Sequence, residues 1–157
     1  QWARKSLQGQ PHIVLVKGYL DLEYHENPGA AFGFLRKVPG ARYILLGVGA
    51  LAMVMVGFMI RKVPPDKGQK ASDLAFSLVA GGALGNMIDR IYIGRVVDFI
   101  IMHWQRKYVW PAYNVADAAL VAGIILLVLV LGRNPPPEPA KATGKAKARA
   151  KAKGKKR

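Results

Sequence analysis

The sequence predicts a mainly α, polytopic membrane protein with a small extracytoplasmic β platform and a short interfacial helix, and three observations lead to it. Of its 157 residues 52% are apolar although 24 are Lys or Arg, and the mean hydropathy is positive, a combination foreign to soluble chains of this charge. The apolar residues are clumped into three runs, Tyr43 to Ile60, Leu74 to Ile91 and Val115 to Leu131. Each approaches the roughly 17 to 20 residues needed to cross about 30 Å of hydrocarbon. Apart from Arg90, the basic residues lie between and beyond these runs, nine of them in residues 141–157 alone.

The first element follows from residues 12–35, "HIVLVKGYLDLEYHENPGAAFGFL". They open with β-branched and aromatic residues in partial alternation and turn at Asn27, Pro28 and Gly29. A short apolar stretch then suits a helix lying on the bilayer surface. The first span contains no charge. The connection after it, "RKVPPDKGQK", carries Arg61, Lys62, Lys67 and Lys70, which places it on the cytoplasmic side together with the basic C-terminal tail. Residues 1 to about 42 and the connection from Tyr92 to Val109 then lie outside. Three spans with the C-terminus inside leave residue 1 outside, so parity predicts a preceding span and a four-span protein whose first helix is absent from this sequence.

In the second span Gly81 and Gly85 stand four apart, the spacing of close helix packing in membranes. The segment "GRVVDFI" after it is expected to dip towards the bilayer without crossing. The third span ends in the Pro-rich "NPPPEPA" and the Lys/Ala tail, so residues 133–157 are expected to form a disordered basic cytoplasmic extension with nothing to bury. That tail accounts for most of the net charge of +15, leaving 15 basic against nine acidic residues elsewhere. It is read as a topology anchor that can touch anionic lipid; no specific nucleic-acid partner is expected.

Given this orientation, polar groups converge at the outer boundary. Asn86 and Asp89 fall in the last turns of the second span, Asn114 and Asp117 in the first turn of the third, and Asp98 between them. An N-cap at Asn114 with Asp117 three residues on explains one Asn-x-x-Asp pair. The other, in "NMID", falls near a helix C-terminus, where an acid opposes the helix dipole, so capping cannot explain both. An Asp89–Arg90 interface pair is the structural alternative for Asp89. Residues three apart share a helix face, and ionisable residues at membrane depth signal function by default. Two carboxylates held close resist joint ionisation, leaving one protonated as a general acid and the other free to activate water. Amide hydrolysis needs that division.

Competing chemistries are poorly supplied. There is no Cys, which excludes thiolate catalysis and disulfides. Ser is scarce, and His12, His25 and His103 share no ligand spacing; no metal or cofactor is expected. A non-enzymatic proton or solute relay would spread its polar groups through the membrane depth, whereas these stop near one face.

"NPGAAFGFL" (27–35), "GGALGNMIDRIYIGRVVDFI" (81–100) and "WPAYNVADAAL" (110–120), in this order and spacing, resemble lipoprotein signal peptidase, or signal peptidase II, the aspartic peptidase of the bacterial cytoplasmic membrane. The resemblance covers residues 1–132, and "QWARK" is similar to the end of the motif that closes the family's first helix. It implies a membrane-embedded peptidase domain in the inner membrane, with its active site towards the extracytoplasmic face. Asp98 and Asp117 match the catalytic dyad; Asn27, Asn86, Asp89, Arg90 and Asn114 match supporting positions. The implied substrate is a prolipoprotein bearing a diacylglyceryl group on cysteine, cut immediately before that cysteine. Pro28 and Tyr113 stand where Thr and Phe are common in the family.

Overall fold

The computed structural model describes residues 2–29, 35, 37–61 and 69–133. The expected interfacial helix falls largely on residues 30–34, and the basic tail on residues 134–157; both lie outside the described residues. The element order is α1 (Trp2–Leu7), β1 (Ile13–Val16), β2 (Leu20–Asn27), α2 (Ala41–Ile60), α3 (Gln69–Tyr92), β3 (Val96–Trp104), β4 (Tyr108–Val109) and α4 (Val115–Arg133).

The helices show how this chain meets its surroundings. α2 is strongly apolar, with a mean hydropathy of 2.4 over its most apolar stretch, yet only 6% of that stretch is buried inside the protein. Val48, Leu51, Val54, Met55 and Phe58 all project outwards. A soluble core helix would bury such residues, so hydrocarbon is the medium that fits them. α2 and α3 are long and apolar enough to cross a membrane. The apolar stretch of α4, Val115–Val130, is shorter.

α3 is the inner helix. Its buried residues Ser72, Ala75, Phe76, Val79, Gly82, Ala83, Asn86 and Arg90 recur every three or four positions, which is one helical face. Val56 of α2 and Phe76 and Val79 of α3 form a core completed by Met59, Leu120 and Leu127. α4 approaches α3 so closely that a Cβ on Gly82 would run into the Ala116 carbonyl oxygen, and one on Gly123 would stand 2.8 Å from the Val79 amide nitrogen. The packing glycines are therefore Gly82, Gly85 and Gly123. Gly81, expected from its spacing to pack together with Gly85, faces away with nothing within 4 Å of its side-chain position.

The strand platform is larger than residues 12–27 alone predict. All four strands form one sheet in the order β1-β2-β3-β4, with antiparallel pairing throughout. The segment expected to dip towards the bilayer is β3, whose residues Val96, Val97 and Asp98 pair with Asn27, Glu26 and His25 of β2. Its "VVDFIIMHW" run lacks clear alternation because both faces are partly covered. α1 lies against one face, where Ala3, Leu7 and Val97 form a second core with Leu22, Tyr24, Ile93 and Phe99.

Candidate active site

The sheet and the helices meet where the sequence placed its polar residues. Asn27 ends β2, Asp98 is the third residue of β3, Asn86, Asp89 and Arg90 occupy the last turns of α3, and Asn114 precedes α4 with Asp117 in its first turn. The segment before α4 is tied to β3 through the main chain of Tyr113. Tyr113 pairs with Ile100, its carbonyl accepting the Phe99 and Ile100 amides at 3.0 and 2.9 Å and its own amide reaching the Ile100 carbonyl at 3.1 Å. This bridge, which no side-chain pattern announced, brings Asn114 beside Asp98.

Asn114 organises the polar network. Its Oδ1 accepts the Asp117 amide at 3.0 Å while Asp117 Oδ2 accepts the Asn114 amide at 3.2 Å, a reciprocal capping box. With Oδ1 so committed, the NH2 group must face the other way. It donates to Asp98 Oδ1 at 2.8 Å and to Asn86 Oδ1 at 3.2 Å. Asn86 is thereby oriented too, and its Nδ2 donates to Asp117 Oδ1 at 2.7 Å. Asn27 completes the set, donating to Asp98 Oδ2 at 2.9 Å while its own Oδ1 accepts the Gly29 amide at 3.1 Å. One cap thus sets the sense of the Asn114 and Asn86 amides that join the two carboxylates, while the Gly29 amide orients Asn27.

Asp98 and Asn114 are buried and Asp117 half-buried. Burial pushes the Asp98 carboxyl up from its ordinary range; the Asn27 and Asn114 amides pull it down, the Asp117 charge raises it again, and Arg90 lowers it. The net direction is upward. Arg90 donates to the Asn86 carbonyl at 3.1 Å and is buried. Asp89 turns to the sheet, where its Oδ2 accepts the Val97 amide at 3.2 Å. That contact pins the start of β3 one residue before Asp98.

A cavity of about 740 Å³ opens on this network. Asn27, Arg90, Asp98 and Asp117 form its polar end. From there it continues along α4 past Leu120, Val121 and Ile125, to Met102 of β3 and Trp110 just after β4. A smaller cavity of about 290 Å³ lies behind, between Asn86, Asp89 and Asn114 and the α1 residues Trp2 and Arg4. All seven residues singled out from the sequence meet at this junction. The apolar wall from Met102 and Trp110 was not foreseen, because nothing local distinguishes a cavity-lining Met or Trp from a packing one.

Fold and site define a helical membrane protein that holds two carboxylates, bridged by amides, at one end of its helices. The comparisons with known proteins are more specific. A family model described as signal peptidase (SPase) II matches residues 1–132, and the chain belongs to that family, which places it among the proteases. It is 36% identical over 130 residues to a lipoprotein signal peptidase of Geobacter metallireducens, covering 83% of this chain and 78% of that one. With the lipoprotein signal peptidase of Symbiobacterium thermophilum it shares 43% identity over 119 residues, covering 76% and 74% respectively. A bacterial membrane enzyme solved by the in meso method at 2.3 Å superposes with a TM-score of 0.66 at 28% identity, over 83% of this chain and 76% of the other.

Proposed function

We propose that this chain is a membrane endopeptidase that removes signal peptides from diacylglyceryl-modified prolipoproteins, cutting just before the lipidated cysteine, with Asp98 and Asp117 as the hydrolytic pair. The observation that carries the reading is the pairing of those carboxylates through Asn114 and Asn86 at the polar end of a cavity that is otherwise apolar. A lipid-anchored precursor presents a polar scissile amide flanked by apolar acyl chains and a hydrophobic signal helix. The cavity repeats that division, carboxylates at one end and Leu120, Val121 and Ile125 along the helix.

In the proposed reaction the ionised member of the pair takes a proton from water as the oxygen attacks the scissile carbonyl. The protonated member hydrogen-bonds the developing oxyanion. Collapse breaks the C–N bond, and a carboxyl proton passes to the leaving amine of the cysteine, returning the pair to one shared proton. The pair titrates as a unit, so the two roles belong to the dyad and are not divided between named residues. Asn27, Asn86 and Asn114 orient the carboxylates, Asp89 anchors β3, and Arg90 supplies positive charge beside both. No metal or cofactor enters this chemistry.

The reading includes a setting. Residues 1–132 act as the membrane-embedded peptidase domain of a bacterial inner-membrane protein, α4 crosses as a third span, and the sheet and site face outwards. Residues 133–157 form a basic cytoplasmic tail, and the partners are the precursor and membrane lipid. The deciding experiment replaces Asp98 or Asp117 singly by Asn in the membrane-inserted protein and follows cleavage of a lipid-modified precursor. Each variant is expected to lose at least about 10³-fold in rate. Turnover close to that of the unmodified protein in either variant would refute the dyad.

A further inference from the structure

The tip of the sheet, remote from the carboxylates, is strained. Gln105 and Arg106 have φ of 52° and 57°, and the Lys107 amide closes the turn onto the Trp104 carbonyl at 2.9 Å. Two successive positive φ angles suit Asn-Gly, not Gln-Arg, whose Cβ atoms crowd the backbone there. Such a turn persists only where its surroundings impose it.

The surroundings here are a buried ionic cluster that the proposed chemistry does not use. The Gln105 amide donates to the Gly18 carbonyl at 2.7 Å. The Arg106 amide donates to His103 Nδ1 at 3.1 Å, so the ring proton sits on Nε2 and is given to Asp21 Oδ2 at 2.9 Å. The Arg106 guanidinium closes on the same Asp21 oxygen, with Glu23 at 3.6 Å. The side chains of Asp21 and His103 are only 3% and 2% exposed, and buried Asp21 Oδ1 has no hydrogen-bond partner among the described residues. A carboxylate buried and half-satisfied is costly to keep.

What the turn controls lies at its base. The Trp110 amide donates to the Met102 carbonyl at 2.8 Å, joining the two residues that line both the active-site cavity and a second cavity of about 590 Å³ under Tyr19, Trp104 and Tyr108. Met102 and Asp98 belong to the same strand, so a slip at the turn moves this wall relative to the carboxylates.

We propose that Asp21, His103 and Arg106 are positioning residues that latch the Gln105–Arg106 turn and thereby hold the Met102–Trp110 wall where it grips the precursor, setting substrate affinity without entering the chemistry. The proposal rests on the peptidase reading above.

The test uses the full chain in lipid with a synthetic diacylglyceryl precursor peptide, and reads kcat, KM and amide hydrogen exchange over residues 104–110. D21N, H103Q and R106A are expected to raise KM about ten-fold with kcat held within about two-fold, and to speed exchange about ten-fold. R106A alters a half-exposed side chain and guards against loss of folding in the other two. Adding Q105N/R106G to D21N supplies a turn that needs no latch, and should return both readouts to the unmodified values. Unchanged exchange in the single variants overturns the latch. Faster exchange with unchanged KM, or a fall in kcat instead, overturns its link to affinity. If Q105N/R106G alone raises KM as R106A does, Arg106 touches the substrate directly and the positioning role fails. If the unmodified chain does not cleave the precursor, the peptidase reading fails, and the exchange readout still decides the latch.

Discussion

Asn114 shows how much one short side chain can settle. As the cap of α4 it satisfies an amide that the first helical turn leaves free, and this fixes which way its NH2 points, towards Asp98 and Asn86. The Asn-x-x-Asp spacing was legible in the sequence because both residues belong to one helical turn. Its link to Asp98 was not, because that link depends on the Tyr113–Ile100 bridge. The raised carboxyl of Asp98 carries a pH prediction. Its folded pKa lies above the ordinary value of 3.8, so the folded state holds this proton more tightly than the unfolded chain. Its contribution to stability is present below that value and is lost as pH rises through the folded pKa. Asp98→Asn has no such proton. The melting temperature of the variant relative to the unmodified protein should therefore rise between pH 3.5 and pH 7. Thermal unfolding of both at the two pH values checks it, and a flat or falling difference would contradict the burial argument.

At the scale of elements, the contact between α3 and α4 decides whether the Asn86–Asp117 hydrogen bond can form, since Asn86 comes from one helix and Asp117 from the other. That contact is set by glycines with no room for a methyl group. Gly82→Ala or Gly123→Ala should destabilise the fold by about 1–3 kcal/mol or more through overpacking and should lower activity with it. Gly81→Ala, which meets open space, should be neutral or stabilising by up to about 1 kcal/mol. Thermal unfolding of the three variants separates these outcomes. Helical spacing made a glycine face visible in the sequence, but Gly81 and Gly82 are adjacent, and only the packed partner tells which of them it includes. β3 was obscured for a related reason. Nine residues with both faces partly covered carry no period-two signal, so an apolar strand and an apolar interfacial segment look alike.

For the whole molecule the question is which side of the membrane each part occupies. α2 and α3 run in succession with their apolar surfaces outwards, and the sheet gathers at the end of α3 opposite to the 61–69 connection. The proposed topology puts the sheet outside. The absence of Cys makes it directly measurable. Ser6→Cys, beside the sheet, should react with a membrane-impermeant thiol reagent added to spheroplasts, whereas Lys70→Cys, at the other end of α3, should react only after the membrane is opened. The reverse labelling pattern would invert the topology and separate the site from the side where lipid-modified precursors are cut.

By itself the sequence determined the membrane class, the approximate positions of α2, α3 and α4, the family, and the seven polar residues of the candidate site. Each of these is written in local runs, in helical spacing or in contiguous motifs. The tertiary structure alone decided that Asp98 stands on a strand, that amides of Asn86 and Asn114 bridge the carboxylates, and that Asp21 meets His103 across 82 positions of chain. Pairings of that kind depend on strand register and helix packing. No pattern along the chain encodes them, because the residues that meet are neighbours only once the backbone between them has been placed.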